Sequence, residues 1–216
     1  MNSKLYCVGV GPGDPELLTL KGQRILTEAD VIAFPGGSSL AYRIASQAVP
    51  AICEKTHLIL DLPMSADPDV LQAAHRAAVS EIEAVLLHGQ TVAFLTLGDP
   101  AFYSGFSYLL DRFRRDGFDV EPVPGVTSFS AASAELLLPL ALGSEQVRIL
   151  TSPEDYDPAF PGTLIILKAG KNLKEWKLRL RSRRVWLVEN CSLPEETICS
   201  DNLPDTAGYF SLLIVK

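Results

Sequence analysis

The chain has 216 residues, of which 47% are hydrophobic, and it carries a formal charge of −7 at pH 7. That length can bury the core of one large domain or of two small ones. The negative charge argues against a protein that coats nucleic-acid phosphates, because such binding depends on clustered Lys and Arg. The sequence has no run of the ~20 apolar residues that a membrane-spanning helix needs, and no cleavage-site signature near its start. We therefore expect a cytoplasmic protein.

The four cysteines are scattered along the sequence, and they form no CxxC or Cys/His pattern with metal-ligand spacing. We therefore expect free thiols in a reducing compartment and no metal site.

Apolar segments alternate with amphipathic ones through the first half, which is typical of an α/β domain with a parallel sheet. Gly89 and Gly117 each follow an amphipathic stripe and are expected to end a helix. In chain order, the predicted elements are a strand 5–10, a helix 15–28, a strand 31–34, a helix 39–48, a helix 67–88, a strand 91–97, a helix 104–115 and a strand 118–123.

The second half is richer in strands. A helix of small residues is predicted over 128–138, and one short helix over 173–181. Strands are predicted over 147–152, 163–170, 183–190 and 209–215, which favours a mixed or antiparallel sheet. These patterns predict two domains, an N-terminal α/β domain over 1–120 and a C-terminal mixed α/β domain over 121–216.

The segment "VGVGPGDPELLTLKG" places three glycines, Gly9, Gly11 and Gly13, between the first strand and a helix. The third glycine comes one residue too early for a dinucleotide fingerprint. Pro12 lacks a backbone donor, and Asp14 is placed to cap the helix with a negative charge. A phosphate loop is therefore disfavoured. A purely structural turn and a loop that approaches a flat or cationic ligand, such as a sulfonium, both stay open.

Two further loops follow predicted strands. In "LTLGDPAFYSG", Asp99 could accept hydrogen bonds from ribose hydroxyls and complement a sulfonium, or it could simply cap the next helix. In "VPGVTSFSAASA", Thr127 and Ser128 could bind a ligand or act as a helix cap. Because ligands in open α/β sheets bind at the carboxyl ends of strands, we expect the three loops to form one rim.

These motifs, together with "ADVIAFP", resemble those of the tetrapyrrole methylases in order and spacing. That family transfers methyl groups from S-adenosylmethionine to corrin precursors. The resemblance covers essentially the whole chain and implies two α/β domains, a cofactor in the interdomain cleft and a homodimer. The cofactor-binding residues that it implies are Pro12, Leu97, Gly98, Asp99, Phe102, Thr127, Ser128, Lys168 and Cys191.

Within the family, "LPMSAD", "LGDPAFYSGFSYLL", "VENCSLPEETI" and "YFSLLIV" resemble members that methylate C20 of precorrin-2 or its cobalt form. The resemblance implies in-line methyl transfer to a carbon nucleophile, with Asp99 and Lys168 as the catalytic candidates and Asp99 as a possible proton acceptor. The alternatives are another ring position, an RNA or protein substrate, or a cofactor-binding module without turnover. Four aromatic residues are candidates either for a wall against the macrocycle or for core: Phe102, Tyr103, Phe106 and Tyr108.

Overall fold

The fold was analysed in a computed structural model that describes residues 3–36, 39–63, 65, 67–200 and 202–216, so Met64 of the "LPMSAD" motif lies outside the described residues. The chain divides into two compact units, Met1–Thr127 and Ser128–Lys216. The division falls later than the predicted boundary at 120/121. That boundary would cut through strand Val120–Val123, which pairs with the first strand of the chain and therefore belongs to the first unit.

The first unit contains a five-stranded sheet with the order β3-β2-β4-β1-β5, in which every pairing is parallel. This confirms the parallel sheet predicted from the alternating pattern. Its strands are β1 (Leu5–Gly9), β2 (Val31–Pro35), β3 (Thr56–Leu60), β4 (Val92–Thr96) and β5 (Val120–Val123). Strand β3 was not predicted. It is an edge strand with partial exposure, so it lacks the continuous apolar run of the central strands.

The described residues of the first unit form four α-helices: α1 (Leu20–Glu28), α2 (Leu40–Ala48), α3 (Pro68–Leu87) and α4 (Ser107–Arg115). The single helix predicted over 15–28 is wrong. Asp14 caps a short 3-10 turn by accepting from the Glu16 backbone N–H at 2.8 Å. The chain then re-enters a helix at α1, where Thr19 accepts from the Gly22 N–H at 3.1 Å. Two caps in succession therefore replace one long helix.

Both faces of this sheet are buried, which is why its central strands are apolar at consecutive positions. Val8 packs with residues of α1 and α2 on one face, whereas Cys7 packs with residues of α3 and α4 on the other. Among the described residues, no helix is long and apolar enough to cross a membrane.

The second unit contains a mixed sheet with the order β6-β7-β10-β8-β9, in which β6 pairs parallel to β7 and the other pairings are antiparallel. The predicted mixed sheet is confirmed, and the unpredicted β9 is an edge strand exposed throughout. The elements of the second unit are α5 (Ser128–Glu135), β6 (Val147–Leu150), β7 (Thr163–Leu167), α6 (Leu173–Arg179), β8 (Val185–Glu189), β9 (Thr197–Ser200) and β10 (Ser211–Val215). Trp176 of α6 is fully buried against this sheet.

Candidate functional site

Three loops meet at the carboxyl edge of the first sheet. We call 10–14 the first loop, 97–106 the second loop and 124–127 the third loop. They follow β1, β4 and β5, and β1 lies between the other two strands. The predicted rim is therefore present within the first unit. It carries six of the predicted cofactor-binding residues: Pro12, Leu97, Gly98, Asp99, Phe102 and Thr127.

The loops touch through their backbones. Gly11 N–H donates to the Gly98 carbonyl at 3.3 Å, and Gly98 N–H donates to the Gly11 carbonyl at 2.8 Å. A Cβ on Gly125 would lie 2.1 Å from the Gly98 oxygen and 2.8 Å from the Gly9 oxygen. No side chain fits at that separation, so these glycines allow one loop to pack directly on the next.

Asp99 joins the second loop to the third. Its Oδ1 accepts from the Ala101 N–H at 2.7 Å, which is the local capping bond considered from the sequence. Its Oδ2 accepts from the Gly125 N–H at 2.9 Å, across 26 residues of sequence. Both Asp99 oxygens therefore accept hydrogen bonds from backbone N–H groups of the rim. The Asp99 carboxylate also affects Cys7: burial raises the pKa of the Cys7 thiol, and the nearby carboxylate raises that pKa further.

Side-chain hydrogen bonds also hold the second loop at both ends. Thr96 Oγ1 and Ser104 Oγ lie 2.8 Å apart and are buried, and Ser107 Oγ donates to the Pro100 carbonyl at 3.3 Å. Between these points Tyr103 adopts a left-handed φ of 51°, a costly conformation for an aromatic residue that is typical of functional loops.

The four aromatic candidates divide between surface and core. Phe106 is buried in the core of the first unit. Phe102 and Tyr103 of the second loop are 41% and 54% exposed, and Tyr108 of α4 is 73% exposed. Only the first two of these exposed rings belong to the rim.

Two predicted residues of the second unit lie at one edge of its sheet. Strands β7 and β8 both run antiparallel to β10, so their carboxyl ends lie on the same side, where Lys168 and Cys191 follow them. Lys168 is exposed and has a left-handed φ of 55°. Its ammonium lies 5.8 Å from the centre of the Tyr209 ring.

Cys191 is buried, and its Sγ donates to the Ser128 carbonyl at 3.4 Å. The second unit thus brings Cys191 and Ser128, two of the predicted cofactor-binding residues, into contact. Desolvation raises the pKa of the Cys191 thiol to about 11, so the group is neutral at physiological pH. It is a polarizable apolar contact and not a nucleophile.

The segment before β10 adds residues to this edge that the sequence did not reveal. Tyr209 and Phe210 are about half exposed, with ring centres 5.2 Å apart. Gly208 N–H donates to Glu189 Oε1 at 2.6 Å, and Ser211 Oγ donates to the Gly208 carbonyl at 2.8 Å. Tyr209 and Phe210 could not be recognised as loop residues from the sequence, because "YFSLLIV" has the composition of a strand throughout, whereas β10 begins only at Ser211.

The sequence matches the family model of Tetrapyrrole (Corrin/Porphyrin) Methylases over residues 4–207. The chain belongs to this family. The predicted membership is therefore confirmed. The predicted two-sheet α/β fold agrees with solved structures of the family as well.

This tetrapyrrole methylase is 34% identical, over 99% of its length and 96% of the relative's, to a probable cobalt-precorrin-2 C(20)-methyltransferase of Methanocaldococcus jannaschii. It is 31% identical, over 98% of its length and 94% of the relative's, to a precorrin-2 C(20)-methyltransferase of a Sinorhizobium species. A crystal structure of uroporphyrin-III C-methyl transferase from Thermus thermophilus complexed with S-adenyl homocysteine matches with a TM-score of 0.73 and 26% identity. The match covers 99% of this chain and 97% of that one.

The methylase offers no metal centre in the part of the chain that the structure describes, where no group of three or more His, Cys, Asp or Glu side chains is placed to hold an ion. All four cysteines are free.

Proposed function

We propose that this chain transfers the methyl group of S-adenosylmethionine to C20 of precorrin-2, or of its cobalt form, during the synthesis of the corrin ring of cobalamin. The observation that carries the methyl-donor part is the three-loop rim, where glycines allow close backbone approach and Asp14 and Pro12 disfavour a phosphate. The ring position is supported by the two near-full-length relatives, whose names both specify C20 of precorrin-2.

The residues of the rim fit such a donor. A Cβ built on Gly98 meets only the Val126 oxygen, at 3.9 Å, so a ligand can approach the backbone there. The partly exposed Leu97 and the exposed Phe102 ring flank that opening in sequence and supply apolar surface for an adenine. We propose cofactor contacts from these residues together with Pro12, Asp99, Thr127, Ser128, Lys168 and Cys191.

The main task of these residues is alignment. When bound, S-adenosylmethionine supplies an electrophilic methyl group on a sulfonium. Fixed loops that hold donor and acceptor in attack geometry can contribute roughly 7–11 kcal/mol of the barrier. A neutral Cys191 thiol suits a place beside a sulfonium, because a thiolate would compete with the substrate for the methyl group.

Lys168 and Asp99 keep distinct proposed roles. The exposed Lys168 ammonium would pair with a carboxylate of the acidic macrocycle and orient it. Asp99 is a candidate acceptor for the proton that leaves C20 after methyl attack, a role that stays a prediction. The homodimer, the absence of a nucleic-acid partner and the cytoplasmic location likewise stay predictions, of which light scattering tests the first.

The decisive experiment measures binding and turnover separately. Calorimetry with S-adenosylmethionine tests the donor site. Incubation of labelled donor with metal-free or cobalt-containing precorrin-2, followed by NMR of the product, tests the ring position. Methylation at C20 supports the proposal, whereas a methyl group at another carbon would assign the chain another tetrapyrrole methylase activity. Donor binding without a methylated product indicates a binding module.

A further inference from the structure

We infer that Asp99 is a positioning residue whose carboxylate fastens the third loop to the second and thereby sets the backbone that receives the methyl donor. The inference rests on the proposed function, because the donor is taken to bind at the three-loop rim. It assigns Asp99 work that differs from proton transfer.

The Asp99 carboxylate accepts two hydrogen bonds from the backbone. Ala101 N–H and Gly125 N–H both donate to Asp99, one to each oxygen, at 2.7 Å and 2.9 Å. The bond to Gly125 joins loops that follow different strands, and bonds to an ionised acceptor are the stronger kind. The carboxylate therefore bridges the two loops by a contact that no neutral apolar side chain could replace.

Close backbone packing accompanies the bond from Gly125 to Asp99. Gly9, Gly98 and Gly125 approach one another so closely that a Cβ on Gly9 would lie 2.6 Å from the Gly98 oxygen. Gly98 is also paired with Gly11 of the first loop. Displacement of the Gly125 amide from Asp99 would consequently disturb all three loops together.

Residues that we propose to contact the donor lie close in sequence to the two ends of this bridge. Leu97 and Phe102 lie in the same loop as Asp99, and Thr127 lies two residues beyond the Gly125 amide that Asp99 holds. A ligand bound by several loops gains affinity when those loops are already fixed in the bound arrangement. Loss of the Asp99 bridge should therefore appear first in donor affinity, before the chemical step.

The test compares Asp99→Asn with a matched change at Asp67. Asp67 Oδ1 accepts from the Asp69 N–H at 2.9 Å, which is the same local bond that Asp99 makes to Ala101, but at the start of α3. Asparagine keeps the shape of the side chain and one acceptor. Its amide nitrogen would, however, face one of the two backbone donors. Asp99→Ser serves as a second variant if Asp99→Asn does not fold, as judged by circular dichroism.

Three measurements decide the role. In the ligand-free protein, hydrogen exchange of the peptide that contains Gly125 should accelerate about tenfold or more in Asp99→Asn and stay unchanged in Asp67→Asn. The dissociation constant for S-adenosylmethionine should rise by about the same factor. At saturating donor and substrate, the pH dependence of kcat should match that of the wild type.

The opposite pattern overturns the inference. Unchanged exchange and unchanged donor affinity, with a loss of about 10²-fold or more in kcat and an altered pH dependence of kcat, would identify Asp99 as the proton acceptor. If the wild-type chain binds no S-adenosylmethionine, the proposed function fails. The exchange comparison would still decide whether Asp99 fastens the loops, because it needs no ligand.

Discussion

Replacing Gly125 by Ala tests whether backbone packing between the three loops determines both stability and donor binding. The new Cβ would lie 2.1 Å from the Gly98 oxygen, which is backbone and cannot rotate away. An ordinary contact begins at about 3.4 Å, roughly 1.3 Å more, so the loops must separate by a comparable distance. Overpacking of this kind costs about 1–3 kcal/mol. For a chain of this size we expect the melting temperature to fall by roughly 2–12 °C. The dissociation constant for S-adenosylmethionine should increase by about tenfold or more.

Gly105→Ala is the matched control for this measurement. Gly105 lies in the second loop, as Gly98 does; it is exposed, and a Cβ built on it has nothing within 4 Å. Scanning calorimetry of both variants gives the stability change, and titration calorimetry gives the donor affinity. If Gly125→Ala melts and binds like Gly105→Ala, the close approach of Gly98 and Gly125 has no energetic consequence and the reasoning is refuted.

Three further predictions concern charge, thiol reactivity and backbone strain. Ion pairs with two lysines, chiefly Lys21, lower the pKa of Glu121 from 4.5 to about 2. The contribution of the ionised Glu121 to the free energy of unfolding is therefore present at neutral pH and lost as the pH falls from about 4.5 towards 2. Because the pair is partly exposed, Glu121→Gln should cost only about 1 kcal/mol in urea unfolding at pH 7. The cost should shrink as the pH falls towards 2, and a pH-independent cost would contradict the ion-pair explanation. Iodoacetamide should label the exposed Cys199 well before the buried Cys191, whose pKa is raised to about 11, and peptide mass spectrometry would reveal the reverse order if burial is wrong. Lys168→Gly should relieve about 1 kcal/mol of left-handed strain while methyl transfer falls, so an unchanged kcat/KM would remove Lys168 from the proposed site.

The fold was largely predictable because both sheets obey local rules. Consecutive buried positions revealed the central strands of the first unit, and parallel order followed from their alternation with helices. The two unpredicted strands, β3 and β9, are edge strands, and their partial or complete exposure removes the apolar signal that identifies a strand. The break before Leu20 was missed because hydrophobic periodicity does not distinguish one helix from a capped turn followed by a helix.

The candidate site was predictable in location and not in its internal bonds. That the three loops share an edge follows from parallel strands whose carboxyl ends carry them. The bond between Asp99 and Gly125 depends on the strand order, in which β1 lies between β4 and β5. This order places the second and third loops on either side of the first loop. Strand order is a long-range property that no motif in the sequence states.

Contacts between the loops also explain why the glycines of "VGVGPGDPELLTLKG" do not fit a phosphate loop. In a phosphate loop, glycines expose backbone N–H groups to an anion. Here Gly11 N–H is bonded to Gly98, and the Gly9 Cα has no room for a Cβ against the Gly98 and Gly125 backbones. These glycines serve the contact between loops, and the surface left for a ligand lies beyond Gly98, where a built Cβ meets only the Val126 oxygen, at 3.9 Å. A donor that binds there depends on loops held together by backbone packing and one carboxylate. Its affinity should therefore be sensitive to changes at Gly125 and Asp99 even if neither residue touches it.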